Sequence, residues 1–183
     1  LLARLEKEIG FNIIDIGGGT ADNAITRSSF CIVSSADDVV SAVNKIGVEI
    51  CNKIRNTDPD AEFTVRKIEN ADKCMTDEST KAVISLLNDL PSGVIAMSKE
   101  MDGLVETSLN LGIMKHSDGI FNCSFSVRSG VDGEKELLRT VKGGESYDET
   151  ITLDDKYDNE KTIYVILEST DKCKDGEFEF KYN

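Results

Sequence analysis

The sequence predicts an α+β fold, an antiparallel sheet with two helices on one face. Residues 36–55 and 77–89 each carry apolar residues at helical spacing, which gives each segment one stripe that must be buried. β-Branched segments bounded by glycine-rich or polar turns lie around them and predict strands. A single sheet face is the simplest surface on which both stripes can pack. The length of 183 residues permits one core of good size but not two.

The composition indicates a folded, acidic protein. The chain has 34 Asp and Glu against 21 Lys and Arg, a net charge of −13, and 39% hydrophobic residues that are well spread. This charge would repel a phosphate backbone, so we expect no nucleic-acid partner. No apolar run approaches the ~20 residues of a membrane-spanning helix and no secretory signal is present, so we expect no membrane partner and a cytoplasmic location.

The cysteines and the single histidine argue against a metal centre in this chain. Five cysteines without a C-x-x-C pair are typical of reduced, buried thiols, not of a disulfide framework or a zinc site. We therefore expect no metal ligand, no cofactor and no catalytic residue here. His116 is predicted to be exposed in a turn, without a role. The cysteines are Cys31, Cys51, Cys74, Cys123 and Cys173.

The helices and strands of the first 55 residues are predicted from apolar stripes and from turn residues. A helix over residues 1–9 has an apolar stripe and ends at Gly10. Because the chain begins inside this stripe, we expect it to be a piece of a longer protein. Residues 11–16 and 28–33 are β-branched strands on either side of a glycine run. The helix over 36–55 then follows residues suited to an N-cap.

The middle of the chain alternates strands and a second helix. Residues 62–68 predict a strand with one buried face, and a cap at Thr76 opens the helix over 77–89. Strands are then predicted over residues 94–97, 104–114 and 120–128, and a polar turn at 116–119 joins the last two as a hairpin.

The pattern changes after residue 140. Residues 132–138 predict the start of a third helix, and residues 141–183 contain short strand-like segments between acidic turns. We interpret them as a small β-rich appendage, so that the chain divides into residues 1–140 and 141–183. The acidic loop 154–160 lacks the ligand spacing of an EF-hand and is expected to be a solvated turn.

The glycine run has its own resemblance. Residues 14–22, IDIGGGTAD, resemble the phosphate-binding turn of the actin, sugar-kinase and heat-shock chaperone ATPases. The backbone amides of Gly17–Thr20 could close around an anion, which makes an ATP-binding fragment one alternative function. A tight turn that requires positive φ is the other interpretation of the same glycines.

A second resemblance rests on four ordered blocks, at residues 18–27, 90–94, 104–112 and 125–129. They read GGTADNAITR, LPSGV, LVETSLNLG and FSVRS, and they resemble the lid domain of aminoacyl-histidine dipeptidases, carnosinase-like dinuclear-zinc metallopeptidases also called Xaa-His or cytosol non-specific dipeptidases. The resemblance implies a ferredoxin-like α+β lid that closes over a dipeptide and contributes to a homodimer. It also implies that the Zn ions and the glutamate base lie in a catalytic domain that this chain lacks, so that the chain alone is inactive.

The resemblance carries over two substrate-binding residues. Asn23 aligns with the asparagine of the family's G-x-x-x-N-x-I-P stretch, although Thr26 replaces the proline. Arg128 aligns with an arginine that binds the substrate carboxylate, a task that suits its planar fork. The simpler interpretations are that Asn23 caps a turn and that Arg128 is a solvated strand residue. Residues 141–183 match no part of the family pattern, and a non-catalytic β-rich interaction module is a further alternative.

Overall fold

The computed structural model describes residues 1–21, 23–68 and 73–130, and the backbone of three short strands between residues 151 and 169. The helices are α1 (Leu2–Leu5), α2 (Val39–Ile54) and α3 (Asp77–Asp89). The strands are β1 (Asn12–Gly18), β2 (Ser28–Ser35), β3 (Glu62–Ile68), β4 (Lys73–Met75), β5 (Gly93–Met97), β6 (Val105–Ser117), β7 (Ile120–Ser129), β8 (Ile151–Thr152), β9 (Asp155–Tyr157) and β10 (Thr162–Ser169).

The described strands pair in antiparallel fashion throughout. The main sheet has the order β3-β10-β2-β1-β6-β7-β8, and β5 also pairs with β6, while β4 and β9 form a separate ribbon. Strand β6 has 13 residues. It pairs with β7 along most of its length, and its other edge pairs first with β5 and later with β1. β6 is therefore the strand on which the two halves of the sheet meet.

Both long helices pack on one face of this sheet, which confirms the predicted fold class. Their buried stripes share one cluster with strand residues and with Leu5 of α1. Helix α3 is also fixed to β1, because the N–H of Ile13 donates to the Thr80 hydroxyl at 3.1 Å. Besides Leu5, the buried residues of this cluster are Ile13, Ile16, Cys31, Val33, Val39, Ala42, Val43, Ile46, Met75, Val83, Ile84 and Phe121. None of the described helices is long and apolar enough to cross a membrane.

The helix starts show why the predicted bounds were close. The carboxylate of Asp38 accepts the N–H of Ser41 at 3.1 Å and caps α2, which begins at Val39 and not at residue 36. The hydroxyl of Thr76 accepts the N–H of Ser79 at 3.2 Å and caps α3, whose bounds are those predicted. The amino-terminal helix is shorter than predicted, four residues followed by turns.

The prediction for His116 was wrong. Its hairpin turn is only two residues long, Asp118 and Gly119, both with positive φ (54° and 72°), so His116 lies in β6. There it pairs with buried Phe121 and shares its face. The side chain is 13% exposed, and its Nδ1 lies 3.2 Å from the Asp15 carboxylate on β1.

Two of the three carboxyl-terminal strands that the structure describes pair with the main sheet. β10 lies between β2 and β3, and β8 lies beside β7. The predicted turn over residues 154–160 was wrong at Asp155–Tyr157, which form β9 and pair with β4. The rest of that loop, the predicted helix over 132–138 and the strand-like segment near residue 180 lie outside the described residues. The predicted division near residue 140 falls in the same undescribed part and remains a prediction.

Candidate functional site

The loop that joins β1 to β2, residues 19–27, lies against β6. The side-chain amide of Asn110 donates to the carbonyl oxygen of Ala24 at 2.7 Å. The hydroxyl of Thr26 lies 3.1 Å from the carbonyl oxygens of both Leu111 and Gly112 and can donate to either. Two side-chain hydrogen bonds therefore fasten this loop to residues more than 80 positions further along the chain.

A bulge in β6 receives the loop. The register of β6 against β7 shifts between Leu111 and Ile113, which leaves Gly112 as the extra residue. Gly19 has φ 75°, and a Cβ added to it would overlap the carbonyl oxygen of Gly112. Glycine is required at position 19 both by its positive φ and by this close approach of two backbones.

Backbone packing also explains why Gly17 and Gly18 are glycines, without the need for a bound phosphate. Gly17 pairs with Phe30 and Lys115, and Gly18 pairs with Ser29 and Met114. A Cβ at either glycine would also press on the β2 side chains. The two glycines are strand residues with neighbours on both sides, and this backbone is not shaped as a loop around a phosphate. The ATP-binding alternative therefore gains nothing from the geometry.

The polar face of the hairpin lies on the side of the sheet away from the helices. Arg128 of β7 pairs with Ser108 of β6, and Ser126 pairs with Asn110. Residues directly opposite in an antiparallel pair share a face, so these four side chains lie together. The intervening residues Thr107 and Leu109 are buried on the other face. We call the four residues the polar face.

Of the two predicted site residues, Arg128 belongs to this polar face, and Asn23 lies in the loop that the polar face holds. Asn23 is exposed and precedes Ala24, the residue that Asn110 holds. Arg128 is exposed and lies diagonally across the strand pair from Asn110, a relation that separates residues by about 7–8 Å in antiparallel sheets. Within the described part of the chain, neither the Asn23 amide nor the Arg128 guanidinium has a hydrogen-bond or ion-pair partner. Both can receive a ligand.

Sequence reasoning missed the residues that fasten the loop. Asn110 and Gly112 stand in the block LVETSLNLG, which was matched as a whole without a role for either residue. Thr26 was noted only as a departure from a proline. The structure gives it a hydroxyl contact with the bulge that proline could not make.

The described residues do not fit a metal centre or a reactive thiol. No group of three or more His, Cys, Asp or Glu side chains among them could hold a metal ion. Burial, and secondarily the charge of Asp15, raises the pKa of the Cys31 thiol far above its ordinary value. Burial raises the pKa of Cys123 to about 11. Both thiols therefore stay protonated at neutral pH and are poor nucleophiles and ligands.

A second surface feature lies beside the site. Six large apolar side chains of the hairpin formed by β5 and the start of β6 are 43–62% exposed. Strand β5 pairs with β6 along one edge, and no described strand pairs with its other edge. We call this set the β5–β6 patch: Val94, Ile95, Met97, Met101, Leu104 and Val105.

An apolar cavity lies on the other side of the sheet. It has a volume of about 300 Å³, is partly open to solvent, and is bordered by α1, α3 and the strands below them. Its wall is mainly aliphatic and aromatic, with Ser29 and Asn88 as its polar side chains. It contains no ionisable group other than the protonated Cys31 thiol, so we do not regard it as a site of chemistry.

Comparisons with known proteins point to one family of peptidases. No family model matches the chain. The cytosol non-specific dipeptidase of Escherichia coli strain K12 is 32% identical over 141 residues, which are 75% of this chain and 29% of that protein. The crystal structure of aminoacylhistidine dipeptidase from Vibrio alginolyticus superposes with a TM-score of 0.67 at 21% identity, and covers 84% of this chain and 32% of that one. The chain thus spans about a third of the length of these relatives, and the resemblance seen in the four blocks is confirmed.

Proposed function

We propose that this chain, which is homologous to one segment of the dipeptidases compared above, is the lid of a dipeptidase and binds the free carboxylate of a peptide substrate. One observation carries the proposal. Arg128 is exposed and without an ion-pair partner among the described residues, on a polar face that also receives the loop of Asn23. The four blocks that resemble the family converge on this place, because all of them lie on β6 or on the strands and loop beside it.

The chemistry of the polar face suits a carboxylate. A guanidinium can donate two parallel hydrogen bonds to a carboxylate and complement its charge. The hydroxyls of Ser108 and Ser126 lie beside Arg128 and add donors of adaptable direction. The side-chain amide of Asn23 can both donate to and accept from the peptide group of a short substrate. The substrate class that we propose is dipeptides, including those with a carboxyl-terminal histidine.

Hydrolysis is assigned to the rest of the parent enzyme. The described residues offer no ligand set for zinc, so we place the Zn ions, and the base that acts on water, in a catalytic part outside this chain. We also propose that the parent enzyme works in the cytoplasm. The expected result for the purified 183-residue chain, assayed with alanyl-histidine and added zinc, is no turnover. Turnover by this chain would contradict the assignment.

An NMR titration tests substrate binding directly. Alanyl-histidine added at millimolar concentration should shift the backbone resonances of residues 23–27, 108–110 and 126–128. Alanyl-histidine amide, in which the carboxylate is replaced by an amide, should shift these resonances much less, because it lacks the charge that Arg128 recognises. Equal shifts with both ligands, or shifts at other sites only, would contradict carboxylate binding at the polar face.

A titration with Mg·ATP examines the alternative function. The lid proposal predicts no saturable shift at Gly17–Thr20, whereas an ATP-binding fragment would show one. The interaction-module alternative for residues 141–183 concerns residues whose side chains are not described, and it remains a prediction.

Self-association is a second proposed role, and it rests on a different observation. The β5–β6 patch combines exposed apolar side chains with a strand edge that no described strand pairs. Unpaired apolar edges favour strand addition by another chain, and contiguous exposed apolar surface is uncommon on monomers. We propose that two copies of the lid pair through this patch.

A further inference from the structure

We infer that Asn110 and Thr26 are positioning residues that hold the loop 19–27, and with it Asn23, over the polar face. The inference rests on the proposed function of Asn23 and goes beyond it, because neither residue was assigned a role by the resemblance. Both act through the backbone of the loop. Asn110 holds the carbonyl of Ala24, and Thr26 bonds to the carbonyls of the β6 bulge.

The need for such residues follows from the sheet topology. Asn23 belongs to the half of the sheet built on β1 and β2, whereas Arg128 belongs to the half built on β6 and β7. Strands β1 and β6 pair at only two positions, Gly17 with Lys115 and Gly18 with Met114. So short a ladder leaves the distance between the two site residues to be set by other contacts. The two side-chain bonds come next along β6, at Gly112 and at Asn110, which is itself part of the polar face.

The loop has little apolar packing of its own to hold it. Ile25 stands between the two fastened residues and is 85% exposed, so its side chain does not secure the loop by burial. The hydrogen bonds at Ala24 and Thr26 flank it on both sides. The loop around Asn23 is therefore held by one internal bond, from the Ala24 N–H to the Ala21 carbonyl at 3.4 Å, by the polar contacts with β6 and by the close approach of Gly19 to Gly112.

Asn110→Asp removes the hydrogen-bond donor at position 110 while nearly preserving the shape of the side chain. An ionised aspartate has nearly the same shape as asparagine but cannot donate to the Ala24 carbonyl, whereas a protonated carboxyl group can. At pH 7 we expect the backbone order parameters of residues 23–27 to fall from about 0.85 towards 0.6. As the pH is lowered through the carboxyl titration near about 4, they should recover. Asn122→Asp is the matched control, because Asn122 is exposed on β7 and has no hydrogen-bond partner among the described residues.

Thr26 provides a second pair of variants. Thr26→Val preserves the branched shape and removes the hydroxyl, whereas Thr26→Ser retains it. We expect Thr26→Val to loosen the loop and Thr26→Ser to keep it ordered. In the same samples, alanyl-histidine should bind Thr26→Val with a Kd about three- to tenfold higher than wild type, and should bind Thr26→Ser as it binds wild type. The Kd is compared in the Thr26 variants because Asn110 lies diagonally from Arg128, where a new carboxylate would itself compete for the guanidinium.

The binding and loop-order measurements distinguish a failure of the proposed function from a failure of the positioning role. If wild type itself shows no shift with alanyl-histidine at the polar face, the proposed function fails. If wild type binds but Asn110→Asp and Thr26→Val keep an ordered loop, and Thr26→Val keeps an unchanged Kd, the positioning role is overturned. The role is also overturned if the loop loosens without any change in Kd, or if Asn122→Asp matches Asn110→Asp.

Discussion

Gly19 illustrates how one residue connects the glycine run to the candidate site. Its φ of 75° turns the chain out of β1, and its α-carbon lies so close to the bulge of β6 that a side chain would overlap the Gly112 carbonyl. Both conditions are met at the base of the loop that carries Asn23. The sequence correctly suggested that a glycine here needs positive φ. It could not show the partner at Gly112, which lies 93 positions away and depends on the tertiary fold.

Gly19→Ala should therefore destabilise the protein more than its φ alone requires. Gly103→Ala is the matched control, since Gly103 has φ 77° and open space where a Cβ would stand. We expect Gly103→Ala to cost about 1 kcal/mol through backbone strain, and Gly19→Ala to cost about 1–3 kcal/mol more because the backbones must separate. Urea unfolding of both variants measures the difference, and equal losses would contradict the close approach.

Arg128→Lys tests whether ligand binding needs the planar guanidinium of arginine or only its positive charge. Lysine keeps the positive charge but cannot form two parallel bonds to a carboxylate. We expect the Kd for alanyl-histidine to rise about tenfold, with little change for the weaker binding of its amide. The comparison of the two titrations is the measurement. Equal losses for both ligands would favour a structural role for Arg128.

The residues of the candidate site differ in how well the sequence alone predicts them. Asn23 and Arg128 were predicted because they stand in motifs, and their role in substrate binding stays a prediction; the structure places the loop of Asn23 against Asn110, on the same face as Arg128. Asn110 and Thr26 were not found, because a side-chain bond between a loop and a distant strand leaves no local pattern. His116 was misjudged for the same reason. A residue within a predicted turn is expected to be exposed, but the register shortens this turn to two residues and pairs His116 with Phe121.

At the scale of elements, helix ends were more predictable than strand partners. The caps at Asp38 and Thr76 are local features, and α2 and α3 begin where those side chains accept an N–H. The strands over 104–114 and 120–128 and the hairpin that joins them were likewise predicted from local patterns, and they correspond to β6 and β7. By contrast, β10 lies between β2 and β3. Pairing between segments so far apart in sequence depends on the whole fold, and no window of residues predicts it.

The cap of α2 should make stability depend on pH. The hydroxyl of Ser41, and then its N–H, hold the pKa of Asp38 below its ordinary value. A lowered pKa in the folded state means that the stabilisation is present above the unfolded-state pKa of about 3.9 and is lost as the pH falls through the folded value. The stability gap between wild type and Asp38→Ala should thus be widest near pH 7 and close below about pH 4. Urea unfolding across this range tests it, with Asp38→Asn as a cap that does not titrate.

At the scale of the molecule, net charge and exposed apolar surface have opposite effects on self-association. A net charge of −13 makes two copies repel at long range, and salt screens this repulsion over about 10 Å at 0.1 M. The β5–β6 patch provides attraction at short range, through apolar area and an edge strand. Self-association through this patch should therefore strengthen as salt is added, unlike association driven by opposite charges.

Met97→Lys tests this proposal in the intact chain. A lysine at the edge of β5 places a charge in the apolar patch and opposes pairing with a second copy. Sedimentation equilibrium of wild type should show an average mass that rises above one chain with concentration and with salt, whereas Met97→Lys should remain at the mass of one chain. Val48→Lys is the control, because Val48 is 61% exposed on α2 and belongs to no such patch. If the wild-type mass is that of one chain at all concentrations, or if Val48→Lys dissociates the assembly equally, the β5–β6 patch is not the contact.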